Sequence, residues 1–225
     1  MCGRFTLFST YETIIERFAI AAGAIDEADF QKSYNIAPSQ QVLAVINDGS
    51  QNRLGYLRWG FIPSWAKDER IGYKMINARA ESLSEKRSFR NAYQNRRCLI
   101  VADAFYEWKR TEEGKTPYCI TLKSNEPFGF AGLWETWKSP DGSSVHSCTI
   151  ITTDANEAVS FVHDRMPVIL KQEAEQLWLN PSVHDTAILD KVLTPYNTDE
   201  MEIFEVSKEV NLPRNNSSKL IERIG

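Results

Sequence analysis

Residues 41–59 read QVLAVINDGSQNRLGYLRW. Gln41 to Asn47 is an apolar run of strand length, NDGS is a hairpin turn signal, and Leu54 to Trp59 is the partner strand. Such a hairpin begins an antiparallel sheet. Working outward, further strand patterns fall at Cys98–Ala102, Phe105–Lys109, Tyr118–Leu122, Phe128–Leu133, Cys148–Thr153 and Ile203–Val206. Helical spacing appears at 9–19, where Ile14, Ile15 and Phe18 share a face, and again at 172–179, 184–193 and 217–223. The composition of 81–95 favours helix and surface. Strands outnumber helices, cluster mid-chain and show no regular βαβ alternation. The expectation is α+β, a single domain over 1–225 with a mostly antiparallel, barrel-like core flanked by short helices.

Composition narrows the function classes. The chain has 225 residues, 42% hydrophobic and 25% charged, which excludes disordered, collagen-like and coiled-coil classes. No apolar run approaches the roughly 20 residues of a membrane span, and MCGRFT lacks a secretory apolar stretch, so a cytoplasmic protein is expected. Four cysteines form no C-x-x-C pair, and three histidines form no metal-type spacing, so neither a disulfide scaffold nor a metal is expected. No cofactor-binding motif is present. Net charge is −4, yet residues 51–120 carry 14 Lys and Arg against 8 Asp and Glu. That asymmetry fits either a basic face turned to an anion or an ordinary mixed-charge surface.

Four polar segments stand out: MCGRF at the start, INARAES at 76–82, FYEWK at 105–109 and VHDRMPVIL at 162–170. Alternation places Phe105, Glu107 and Lys109 on one strand face and Tyr106 and Trp108 on the other. A carboxylate among aromatic rings suits a general acid/base, and it equally suits an outward surface position. His163 beside Asp164 and Arg165 reads either as a proton-transfer group or as a hydrogen-bonded structural histidine. Asn77 and Arg79 are equally compatible with turn chemistry. Spacing alone leaves these alternatives open.

Together with YNIAPSQ at 34–40, LRWGFIPSWA at 57–66, CLIVADAFYEWK at 98–109, FAGLWE at 130–135 and VSKEVNLPRNNS at 206–217, those segments resemble the SOS-response-associated peptidase (SRAP) family in end-to-end order. The resemblance implies a sensor of abasic sites in single-stranded DNA that crosslinks to them through an N-terminal cysteine exposed by loss of Met1. Here that residue is Cys2, whose amine and thiol together close a thiazolidine on the sugar aldehyde. Glu107 corresponds to the proton shuttle, Asn77 to the residue that orients the amine or sugar, and His163 to the acid that opens the deoxyribose ring. Arg4, Asn35, Arg79 and Arg165 match phosphate contacts, and Pro38 and Trp65 match apolar positions flanking the lesion. Around Arg58 and Arg87 the surrounding sequence matches loosely. The implied partner is single-stranded DNA, with no membrane and a monomeric protein. Two competing classes remain: a cysteine peptidase acting on proteins, and a non-catalytic single-strand-binding domain. The intact mass of the purified protein is expected to lack Met1; a full-length mass would contradict the Cys2 chemistry.

Overall fold

The computed structural model describes residues 2–21, 25–112 and 114–224; Met1, whose removal the resemblance implies, lies outside them. The elements run β1 (Arg4–Leu7), α1 (Tyr11–Arg17), β2 (Ser33–Ile36), β3 (Gln41–Asn47), β4 (Asn52–Trp59), β5 (Asn77–Arg79), α2 (Arg90–Asn95), β6 (Arg97–Ala102) and β7 (Ala104–Thr111). They continue with β8 (Gly114–Leu122), β9 (Phe128–Lys138), β10 (Ser144–Asp154), α3 (Glu157–Ser160), β11 (Arg165–Pro167), α4 (Gln172–Leu179), α5 (Thr186–Leu189) and β12 (Met201–Glu205).

The 41–59 hairpin forms in the expected register, with Asn47 opposite Asn52 and Gln41 opposite Arg58. It supplies two staves of a closed five-stranded barrel in the order β3, β4, β10, β9, β6 and back to β3. The ring closes through a short parallel contact, Ser147–Cys148 of β10 beside Arg58–Trp59 of β4. Two three-residue strands, β5 and β11, hang on the far end of β10.

A second sheet, β12-β8-β7-β1-β2, is antiparallel throughout. Its apolar face packs on the barrel through aromatic edges. The Phe5 ring lies 5.2 Å from Trp59 and 5.7 Å from Phe130, and Phe105 lies 6.0 Å from Phe130. The alternation read in FYEWK is therefore real: Phe105 joins the barrel core, whereas Tyr106 and Trp108 face a smaller cluster with Val206, Val210 and Leu220.

Helix expectations needed trimming. Segment 81–95 is helical only over Arg90–Asn95, preceded by a 3-10 turn at Ala80–Ser82. Its upstream charges have no apolar stripe to bury. Segment 184–193 splits into α5 and a 3-10 turn at Asp190–Val192, and 217–223 is a 3-10 turn at Ser218–Ile221. The strands β1, β2, β5 and β11 are too short to show a period of their own, and all four border the site.

One backbone device fixes the loop leading to β5. Gly60 has φ +135°, and a Cβ there would lie 2.8 Å from the Gly72 carbonyl oxygen. Only glycine permits this crossing. Elsewhere, the buried guanidinium of Arg97 donates to the carbonyls of Tyr93, Gln94, Trp178, Asn180 and Val183, binding α2 and α4 to the barrel. Arg97→Met should strip these acceptors of their donors and cost at least about 3 kcal/mol in denaturant unfolding. Arg97→Lys should recover little, because a point charge cannot reproduce the planar fork. A loss below about 1 kcal/mol would show that this anchor is dispensable.

Candidate active site

Strand β1 sets the position of Cys2. Its register places Arg4 opposite Tyr106 and Phe5 opposite Phe105, so the chain preceding Arg4 runs alongside β7 near Glu107. From the other sheet, β5 reaches across the seam: Asn77 Nδ2 donates to the Cys2 carbonyl at 2.8 Å. Among the described residues the Asn77 Oδ1 atom is buried and accepts no hydrogen bond.

Cys2 is fully buried. Its Sγ lies 3.9 Å from the Arg4 carbonyl oxygen, a weak thiol contact. Burial, together with the negative potential of Glu107, pushes the thiol pKa well up and keeps the sulfur protonated. Glu107 is only 2% exposed, so the surface alternative is excluded. Burial raises its pKa as well, with His163 acting in the opposite sense. Cys2, Glu107 and His163 thus share one electrostatic neighbourhood.

His163 sits in the turn between α3 and β11. Its Nδ1 lies 2.9 Å from the Arg165 backbone nitrogen, and an amide can only donate, so the neutral ring carries its proton on Nε2. The Asp164 carboxylate approaches the same Nδ1 at 2.8 Å from an 87% exposed side chain. It gains a proton to accept only when the ring is charged.

The residues expected to contact DNA separate into two groups. Arg79 is exposed at the end of β5, and Trp65 is 47% exposed with the Arg87 guanidinium 5.2 Å above its ring. Pro38 occupies the half-buried turn between β2 and β3, tied to the end of β4 by Ser39 N to Trp59 O at 2.8 Å. Arg58, weaker in the resemblance, pairs with Glu69. The others are engaged by the protein itself. Arg165 is buried and forms ion pairs with Glu81 at 2.9 Å and Asp154 at 2.6 Å. Arg4 donates to Asn35 Oδ1 and the Val210 carbonyl, each at 2.7 Å, and to the Asn211 carbonyl at 3.2 Å. Asn35, buried, donates to the carbonyls of Val210, Leu212 and Asn215. Arg4 and Asn35 therefore strap the 210–215 segment against β1 and β2.

That strap completes a cavity of about 400 Å³. Glu107 and His163 line it together with Arg4, Trp108, Arg110, Lys115 and Asn211. The last four were not singled out from the sequence. Trp108 lay within FYEWK and Asn211 within VSKEVNLPRNNS, but their hydrogen bond spans 103 positions of the chain and leaves no local pattern. Among the described residues no three His, Cys, Asp or Glu side chains form a metal-binding group, and no helix is long and apolar enough to cross a membrane.

The profile of the SOS response associated peptidase (SRAP) family matches residues 1–213. The chain belongs to the SRAP family. It is 57% identical over 223 residues to the abasic site processing protein YoqW of Bacillus subtilis (strain 168), covering 99% of both chains. It is 30% identical over 230 residues to the abasic site processing protein HMCES of Xenopus tropicalis, covering 88% of this chain and 68% of that one. A Bacteroides thetaiotaomicron protein of known crystal structure superposes with a TM-score of 0.90 at 25% identity, over 99% of this chain and 100% of that one. The α+β barrel is thus an SRAP architecture, with its polar segments gathered at the seam between the two sheets.

The electrostatics of this SRAP site predict a pH signature. Glu107 has a folded-state pKa above its unfolded value, so its contribution is fully present below the ordinary carboxylate pKa and is lost as pH rises through the folded value. Glu107→Gln should therefore melt close to wild type near pH 4 and gain on wild type as pH approaches about 7. A variant that instead loses ground with rising pH would show that the ionised carboxylate stabilises the fold.

Proposed function

We propose that the protein senses abasic sites in single-stranded DNA and attaches to them covalently through Cys2, as a thiazolidine, once Met1 is removed. The observation that supports this most directly is the convergence of Cys2, Asn77, Glu107 and His163 at one seam, next to a cavity with basic walls. The two relatives YoqW and HMCES carry abasic site processing in their names, and their similarity extends over most of this chain.

The chemistry follows from the groups present. Charged His163 gives its Nε2 proton to the ring oxygen of the closed sugar as the C1′–O bond breaks, while the C1′ hydroxyl passes its proton to the Glu107 carboxylate, releasing the aldehyde and leaving the imidazole neutral. The α-amine, with an ordinary pKa of about 7.7–8.0, attacks that carbonyl ahead of the buried, protonated thiol. Asn77 fixes the Cys2 backbone and offers Oδ1 to the amine's N–H. Glu107 carries the protons that convert the carbinolamine to a Schiff base with loss of one water. Sγ then adds to the imine carbon, and the thiol proton passes to nitrogen, closing the ring. Arg79, Trp65 and Pro38 meet the strand, stacking or wedging at bases beside the lesion. Arg4, Asn35 and Arg165 shape the walls that phosphates approach.

Denaturing electrophoresis with an abasic oligonucleotide tests this reading. Processed protein should give a heat-stable covalent band, and an uncleaved N-terminal extension should abolish it while leaving the fold intact. Cys2→Ser should give at most a Schiff base, visible only after borohydride trapping. His163→Ala should slow crosslinking to a natural abasic site about 10²–10⁴-fold and spare a substrate whose aldehyde is already open. An N-terminally extended protein that crosslinks as well as the processed one would overturn the mechanism.

A further inference from the structure

The tip of the β7–β8 hairpin has an electrostatic arrangement that the chemistry above does not use. Arg110 and Lys115 lie directly opposite each other across the ladder, both exposed and both lining the cavity that holds Glu107 and His163. Like charges in facing positions destabilise a sheet. Among the described residues neither side chain forms an ion pair, whereas Arg4, Arg165 and Arg58 are engaged: Arg4 by carbonyls, Arg165 by two carboxylates, Arg58 by a glutamate. The exposed Glu112 of the same turn pairs with neither.

The third component is Asn211. Trp108 Nε1 can only donate, and it lies 2.7 Å from Asn211 Oδ1, so the oxygen of this amide faces the indole and its NH₂ faces away. The Asn211 carbonyl is held in turn by Arg4. A pinned amide donor and two facing cations on one cavity wall match an oxyanion with several acceptor oxygens. The cavity, about 400 Å³, is at the small end for ligand sites, a size suited to a sugar with an attached phosphate and no base. Alternation along β7 puts Arg110 on the Trp108 face and the buried Glu107 carboxylate on the opposite one, which separates the anion from that carboxylate.

We propose that Arg110, Lys115 and the side-chain amide of Asn211 form a subsite for one backbone phosphate adjoining the abasic sugar. This rests on the function proposed above. The subsite registers the strand so that C1′ faces Cys2, and it acts on binding, not on bond making.

Single-turnover crosslinking of processed protein to an abasic single strand tests it, with wild type also assayed on 2-deoxyribose, which carries no phosphate. Arg110→Gln/Lys115→Gln should raise the half-saturating strand concentration about tenfold, a loss of about 1.4 kcal/mol, with a much smaller change in saturated rate. The slope of log K against log salt should fall by about 0.7 for the one phosphate released. Asn211→Ala should shift half-saturation in the same direction. A strand with an uncharged methylphosphonate linkage on the correct side of the lesion should weaken wild type by the same factor and weaken the double variant no further. Wild-type half-saturation in a double variant with unchanged melting temperature would overturn the subsite. So would additive losses with the neutral linkage on both sides, which would mark diffuse attraction. If wild type forms no covalent product with either the strand or 2-deoxyribose, the proposed function fails and takes the subsite with it.

Discussion

The site depends on where a four-residue strand docks. β1 is inserted between β7 and β2, and Phe5 locks it there by packing edgewise on Trp59 and Phe130. Stacked and edge-to-face aromatic contacts of this kind add about 0.5–1.5 kcal/mol each beyond their burial. The polar ties agree with that placement. Asp103 accepts from the backbone nitrogens of Phe8 and Ser9 just after β1, and Arg4 and Asn35 draw the C-terminal strap over its start. Cys2, two residues from β1, inherits a fixed position.

Positioning alone does not select the chemistry; the local dielectric does. A buried thiol beside a buried carboxylate resists ionisation, because each negative charge raises the cost of the other. That works against thiolate attack, the step a cysteine peptidase needs, and favours a neutral amine as first nucleophile. It also leaves Glu107 with a pKa closer to neutrality than a surface glutamate has, as proton exchange in both directions requires. These features agree with the imine chemistry proposed above.

Much of the architecture was legible in the sequence because it is local. The 41–59 hairpin announces itself through a turn signal between two apolar runs, and α4 appears over the expected residues 172–179. Barrel closure was not legible, since it rests on a two-residue parallel contact between β4 and β10, about ninety positions apart. The site divides in the same way. Glu107 was visible as a carboxylate among aromatic residues, while its burial arises only once β1 pairs beside β7 and the sheets pack. Asn35 and Arg165 stood out as polar residues in matching segments, but their engagement with the strap and with Glu81 and Asp154 exists only in three dimensions. Asn211 joins the site only because Arg4 and Trp108 hold it there.

The central claim is that the covalent bond forms at Cys2 through both of its nucleophiles. The most direct measurement is peptide mass mapping of the product, after nuclease digestion has trimmed the DNA to the abasic sugar remnant. The account predicts a single modified peptide beginning at Cys2, its mass that of peptide plus sugar remnant less one water, with no thiol left to alkylate. A remnant on a lysine, on Cys98, Cys119 or Cys148, or on a Cys2 whose thiol still alkylates would contradict it.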